Sequence, residues 1–245
     1  MSLENAHVER AKKNAALEAI GNVENGFVIG LGSGSTAAYA IEELGKKIRR
    51  ERLSILAVPT SYQALMLAAT HRIQITTLDE HPKLDLTIDG ADQMDRNLDL
   101  IKGMGGALTR EKIVASASKR LMIVADESKK VRNLGENNHP VPLEVIPFGA
   151  KPVMLKIQEL GGKPVLREAK GKVGPVITDN GNAVLDVYFG PIEDPSKLAT
   201  ELKTLPGVVE TGLFVRMADL AYIGKSSGVE KIERQPARRL PQDPR

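Results

Sequence analysis

The chain has 245 residues, 42% hydrophobic and 27% charged, with no cysteine and no tryptophan. That length and balance describe a globular chain of one large or two small domains, and the missing cysteines exclude disulfides, thiolate nucleophiles and cysteine-ligated zinc. The net charge of +3 sits in the last fifteen residues, where Lys231, Arg234, Arg238, Arg239 and Arg245 face only Glu233 and Asp243, so the rest of the chain is neutral. The composition argues against a nucleic-acid surface, no apolar run is long enough to span a membrane, and neither a leader nor a location outside the cytoplasm is expected.

In chain order, residues 2–20 predict an amphipathic helix. Ala11, Ala15, Ala16, Ala19 and Ile20 share one face, Arg10, Lys12, Lys13 and Glu18 lie mostly on the other, and Gly21 and Asn22 end it. FVIGLG (27–32) predicts a short apolar strand, and SGSTAAYAIEELGKKI opens a helix with Ser35 or Thr36 near its N-cap. Further strands are expected over 53–59, 73–78, 84–90 and 120–126, with helices over 61–70 and 109–118. Continuously apolar strands alternating with helices indicate a parallel sheet covered on both faces.

The polar, proline-bearing stretch 131–142 reads as a boundary. Beyond it the order is strand (143–148), helix (151–161), strand (164–169), a turn at TDNGN, strand (183–189), helix (194–207) and strand (208–214). This is the ferredoxin-like β-α-β-β-α-β pattern. Residues 218–225 and 228–233 again look strand-like and can return to the first sheet. The expected architecture is α/β: a Rossmann-like open parallel sheet domain (1–134 plus about 208–232) and a second, smaller α+β ferredoxin-like domain (135–207). Residues 233–245 read as a disordered basic tail.

In open parallel sheets ligands bind beyond the carboxyl ends of strands, and four polar segments follow strands here. Gly30 to Thr36 is a strand, glycine turn and helix start, with Ser33, Gly34, Ser35 and Thr36 suited to an anion. The same residues also make an ordinary tight turn before a capped helix, and neither a full G-x-G-x-x-G nor a Walker pattern is present. Asp89, Gly90, Ala91 and Asp92 end a strand. Two carboxylates three apart can bind sugar hydroxyls, ligate Mg²⁺ or move protons, and they equally suit a plain turn. Lys102 precedes Gly103, Met104 and Gly105, Glu111 lies in the first turns of a helix, and Lys129 follows the last strand of the domain. Position alone makes Glu111 a helix-dipole partner and Lys12 and Lys129 solvated side chains. His7, His71, His81 and His139 have no metal-ligand spacing.

Taken in order, GLGSGSTAA, TIDGADQMD, KGMGGALTREKIVA and VADESKKV resemble the motifs of type A ribose-5-phosphate isomerase. PLEVIPF, VITDNGNAVLDV and LPGVVETGLF extend the resemblance, which runs from about Lys12 to Gly228. It implies an isomerase interconverting D-ribose 5-phosphate and D-ribulose 5-phosphate in the non-oxidative pentose phosphate pathway. No metal or coenzyme is implied, and the resemblance implies a homodimer or homotetramer. It also implies Glu111 as the base and residues 33–36, 89–92, 102–105 and Lys129 as substrate contacts, with Lys12 near the phosphate. On this reading Lys102 stabilises the enediolate, Asp89 assists ring opening and Asp92 holds hydroxyls. Two departures stand out: Ser33 replaces the commoner threonine, and Met104 stands where glycine is frequent. A positive φ at Met104 would cost about 1–2 kcal/mol.

The alternatives are a sugar-phosphate regulator, an amino-sugar-phosphate deaminase and a coenzyme A transferase. The one helix before the first strand leaves no room for a helix-turn-helix. No histidine lies in the four segments, as the deaminase would want, and the transferase needs a longer chain or a partner.

Overall fold

A computed structural model describes residues 3–171 and 173–234 of the chain. In order it contains α1 (Leu3–Ile20), β1 (Val28–Leu31), α2 (Ser35–Glu51), β2 (Leu56–Pro59), α3 (Tyr62–Thr70), β3 (Leu86–Asp89), β4 (Gln93–Met94), β5 (Leu100–Ile101), α4 (Leu108–Ser116) and β6 (Leu121–Asp126). There follow β7 (Val141–Val145), α5 (Ala150–Glu159), β8 (Lys163–Leu166), β9 (Ala183–Tyr188), α6 (Pro195–Lys203), β10 (Val208–Thr211), β11 (Leu213–Phe214), β12 (Leu220–Lys225) and β13 (Gly228–Glu233).

The large sheet has the order β13-β12-β6-β3-β1-β2, with every pairing parallel except that of the edge strand β13. Alternate residues along a strand point to opposite faces. Met122 and Val124 of β6 pack with α1, α2 and α3, whereas Leu121, Ile123 and Ala125 join Ala115 of α4 and the buried Phe214. The sheet is therefore covered on both sides, as continuously apolar strands require. The second sheet has the order β10-β7-β9-β8, all antiparallel, with α5 and α6 contributing Val153, Ile157 and Leu202 to its core. That is the ferredoxin-like arrangement.

Several elements depart from expectation. Residues 73–78 form no strand: Ile75 makes one isolated bridge to Ala57. The Thr76 hydroxyl lies 2.7 Å from Glu80 Oε2 and 2.8 Å from His81 Nδ1, so the chain curls into a turn. The stretch 208–214 divides at Gly212. Its first part, β10, pairs with β7 as the last strand of the β-α-β-β-α-β pattern, although the boundary expected at about 208 placed it with the large domain; its second part, β11, pairs with β5 in a three-stranded sheet, β11-β5-β4. Gly212 is where these sheets meet. Its N–H donates to the Pro142 carbonyl at 2.7 Å and its carbonyl accepts from Lys102 N–H at 2.9 Å. A Cβ there would stand 2.3 Å from the Lys102 carbonyl. Glu233 ends β13, and Arg234 Nε donates to the Ala218 carbonyl at 2.7 Å. The remainder of the expected tail, 235–245, lies outside the described residues. No described helix is long and apolar enough to cross a membrane.

The helix α1 packs on β12 so closely that a Cβ on Gly224 would lie 1.9 Å from the Ala11 carbonyl oxygen. Because that neighbour is backbone, Gly224→Ala is expected to destabilise the chain by about 1–3 kcal/mol or more. Urea unfolding with an unchanged m-value measures this; an unshifted midpoint refutes the close packing.

Candidate active site

The carboxyl ends of β1, β3, β5 and β6 converge on one cleft of about 90 Å³. Residues 33–36, 90–92, Lys102, Gly103, Gly105, Glu111 and Lys129 line it. A neighbouring hollow of about 140 Å³ shares Ser33, Gly34 and Gly105.

One end of the cleft is built for an anion. The N-cap of α2 is Gly34 at φ 98°, with no side-chain cap, and no acidic residue lies in the first turn. The first amides of a helix have no acceptor within it, and the helix dipole adds positive charge there. Sequence placed the cap at Ser35 or Thr36; with glycine in that place, both hydroxyls stand in the first turn beside the amides. The Ser33 hydroxyl is committed elsewhere, 2.8 Å from Thr60 Oγ1 and 2.5 Å from Ser61 Oγ. Ser33 and Gly34 amides are also engaged, by Asp89 Oδ1 (3.1 Å) and Gln63 Oε1 (2.9 Å).

The other end holds three ionisable groups without solvent. Lys102 is 3% exposed, Glu111 4% and Asp89 0%. Lys102 Nζ donates to the Gly90 carbonyl at 2.6 Å and stands 3.1 Å from Asp89 Oδ2 and 3.2 Å from Glu111 Oε2. These two carboxylate oxygens lie at ion-pair distance from the ammonium but accept no well-aligned hydrogen bond. Burial opposes the charge on Lys102, yet Asp89, Glu111 and Asp92 outweigh it and raise the ammonium above its ordinary value. Burial raises Asp89 as well. Burial, reinforced by the Asp89 charge, pushes Glu111 up to about 8, against the opposing pull of Lys102.

Several devices place these groups. Asp89 fits because Gly32 has no Cβ, which would lie 2.1 Å from Asp89 Oδ1. Asp89 Oδ1 also accepts from Gly90 N–H at 2.7 Å. Glu111 sits on α4 between two anchors that the sequence reading overlooked. Arg110 donates to Asn180 Oδ1 and the Asp179 carbonyl, both at 2.7 Å. Lys112 donates to Glu210 Oε1 (2.9 Å) and to the carbonyls of Thr211 (2.6 Å) and Leu213 (2.9 Å). The small sheet thereby sets the helix that presents the glutamate.

Asp92 lines the cleft and accepts from Met104 N–H at 2.9 Å. Asp89 is sealed beneath it. Met104 is 43% exposed and has no positive φ; that conformation falls on Gly103 (+107°) and Gly106 (+78°), so the methionine carries no backbone strain. Lys129 lines the cleft, but Lys12 does not: its ammonium lies 2.8 Å from Glu9 Oε1, and Glu9 Oε2 accepts from the Tyr39 hydroxyl. His139, read as a loop residue, is half-buried, and desolvation lowers it despite the nearby charges of Asp92 and Asp186. No group of three His, Cys, Asp or Glu side chains is placed for a metal among the described residues.

A parallel sheet with an anion-binding helix start at one end of a cleft and a buried carboxylate of raised pKa at the other defines an acid–base enzyme for a small anionic substrate. The comparisons sharpen that class. Residues 56–228 match the family model for ribose 5-phosphate isomerase A (phosphoriboisomerase A). The chain is 54% identical to a ribose-5-phosphate isomerase A of Methanosarcina acetivorans, over 90% of this chain and 93% of that one. It is 48% identical to that of Methanothermobacter thermautotrophicus, over 89% and 96%. A solved D-ribose-5-phosphate isomerase in complex with phospho-erythronic acid superposes with a TM-score of 0.90 at 47% identity, covering 93% of this chain and 99% of that one. The chain belongs to the ribose 5-phosphate isomerase A family, the one its motifs resemble.

The raised Glu111 carboxyl ties stability to pH. The folded chain keeps a proton that the unfolded chain releases above about 4.5, so this contribution is complete below about 4.5 and is lost as pH rises towards 8. The unfolding free energy of the chain relative to Glu111→Gln is therefore expected to decline between about pH 5 and pH 8. A difference independent of pH would refute the shift.

Proposed function

We propose that Glu111 is the general base with which this chain, an aldose–ketose isomerase, interconverts D-ribose 5-phosphate and D-ribulose 5-phosphate. The observation carrying this reading is the Glu111 carboxyl, buried beside Lys102 and Asp89 and lining the same cleft as the start of α2. Isomerisation moves the carbonyl from C1 to C2. A base takes the C2 proton while O1 gains one, giving a cis-enediol(ate); O2 then loses its proton as C1 gains one. The two carbons are adjacent, so one carboxylate serves both. A carboxylate of ordinary pKa is a weak base towards a C–H acid, and burial supplies the strength it lacks. Lys102, held charged, stabilises the oxygens on which negative charge develops.

The phosphate lies at the start of α2, against the first-turn amides and hydroxyls of Ser35 and Thr36 and the Lys129 ammonium, far enough from the reacting carbons to serve as a handle. Phospho-erythronic acid, held by the solved relative, joins a phosphate to a carboxylate. The two coplanar oxygens of that carboxylate resemble those of the enediolate, which supports the same two-ended reading here. Opening the sugar ring needs an acid–base group at the cleft surface. Asp92 stands there, so we assign that step to Asp92 and leave Asp89 to act through Lys102 and Glu111. A homodimer or homotetramer in the cytoplasm completes the reading, and the fully exposed Phe148 beside Ile146 supplies apolar surface for association.

Glu111→Gln is expected to lower kcat roughly 10²–10⁴-fold with KM changed less than about threefold. In the unsubstituted chain kcat/KM falls about tenfold per pH unit below about 8. Assays of ribulose 5-phosphate formation without added cofactor measure both, and near-normal turnover by the variant would falsify the base assignment. Lys12, bonded to Glu9 and outside the cleft lining, is retained as a candidate phosphate contact. Lys12→Ala then raises KM at constant kcat, and an unchanged KM removes Lys12 from the site.

A further inference from the structure

The wall of the cleft next to Lys102 is a turn over residues 103–106, and it is gripped from behind by one arginine of the small sheet. Arg167 directly follows β8, with its backbone held at both ends: its N–H donates to the Val184 carbonyl (2.9 Å) and its carbonyl accepts from Val176 N–H (2.8 Å). Its Nη1 donates to the carbonyls of Gly103 and Met104, both at 2.9 Å. The other edge of the guanidinium is taken by Asp186 of β9: Nε donates to Oδ2 at 2.8 Å and Nη2 donates to Oδ1. The two side chains are only 12% and 13% exposed. A two-pronged pair of this kind fixes the plane of the guanidinium, and hence the direction of Nη1.

In a trans peptide the carbonyl and the N–H point opposite ways. The peptide joining residues 103 and 104 is pinned at both ends, by Arg167 at the Gly103 carbonyl and by Asp92 at Met104 N–H. The next peptide is pinned only at the Met104 carbonyl, by Arg167. Its other end, Gly105 N–H, donates to no other described residue, and Gly105 lines the cleft beside Lys102 and Glu111. We propose that Arg167, held by Asp186, is a positioning residue that turns the Gly105 N–H towards the substrate oxygen on which charge develops. This inference rests on the isomerase reading above. Arg167 itself touches no reacting atom; it acts by preventing the 104–105 peptide from turning its N–H away.

The test is Arg167→Ala assayed with and without methylguanidinium. The loss of one aligned donor to a developing oxyanion lowers kcat by about 10–100-fold while KM stays within about threefold. Methylguanidinium, filling the vacated fork, restores kcat at least about fivefold, and urea at equal concentration does not. A kcat within about twofold of the parent, or a loss that methylguanidinium fails to restore, overturns the proposal. Should the alanine variant not fold, Arg167→Lys serves. A point ammonium cannot span Asp186 and both carbonyls, so kcat falls about tenfold, and a value within about twofold of the parent overturns the proposal. Glu111→Gln in the same assay separates the two readings: inactive Glu111→Gln with unaffected Arg167 variants removes only the positioning role, whereas active Glu111→Gln removes the base.

Discussion

A lysine ammonium enclosed between two carboxylates is the interaction on which the cleft depends. Without Asp89 and Glu111, burial would strip the charge from Lys102; with them, it stays charged where little of it meets solvent. The constraint runs the other way as well. Burial, reinforced by the neighbouring charge of Asp89, pushes Glu111 up to about 8 even though Lys102 pulls the other way. Removing one partner from such a buried group typically costs about 3–5 kcal/mol, because the remaining charges lose their compensation. The site is thus built at some expense to the fold, and the surrounding contacts must hold it.

Those contacts are divided between two kinds of structure. The anion-binding end is local: β1, its glycine turn and the start of α2 are consecutive in the chain, and the missing Cβ of Gly32 lets Asp89 brace the turn from beneath. The acid–base end is assembled from afar. Arg110 and Lys112 fasten α4 to the 179–180 hairpin and to β10, while Arg167 reaches from the edge of β8 to the turn after Lys102. Gly212 closes the arrangement by letting the chain pass within hydrogen-bond distance of both Lys102 and Pro142. The small sheet therefore contributes orientation to a cleft whose lining comes from the other segments. Under the proposed function, this division suits a substrate whose phosphate needs only tight anchoring and whose reacting carbons need groups held within fractions of an ångström.

Much of this was legible in the sequence for identifiable reasons. Apolar runs of strand length between amphipathic helices foretold the parallel sheet, because a strand buried on both faces cannot alternate. The β-α-β-β-α-β order foretold the second sheet, and glycine-rich polar stretches after strands marked the cleft. The failures were equally physical. IQITTL is apolar enough for a strand, but the Thr76 hydroxyl turns it aside towards Glu80 and His81. VVETGLF reads as one strand but serves two sheets, because the chain crosses from one to the other at Gly212. Met104 looked strained by its place among glycines, yet the positive φ values fall on its neighbours.

By itself, then, the sequence determined most of the segments that form the elements, which family the chain resembles and which side chains are chemically able to act, since these follow from local pattern and residue type. Only the tertiary structure decided that Glu111, unremarkable as a carboxylate early in a helix, is buried against Lys102; that Lys12 is occupied by Glu9 and Asp89 lies beneath the cleft; and that Arg167 grips a turn 63 residues before it. The reason is that a pKa, a burial and an ion pair depend on distances between groups far apart in the chain. Such distances exist only once the sheets have closed on each other.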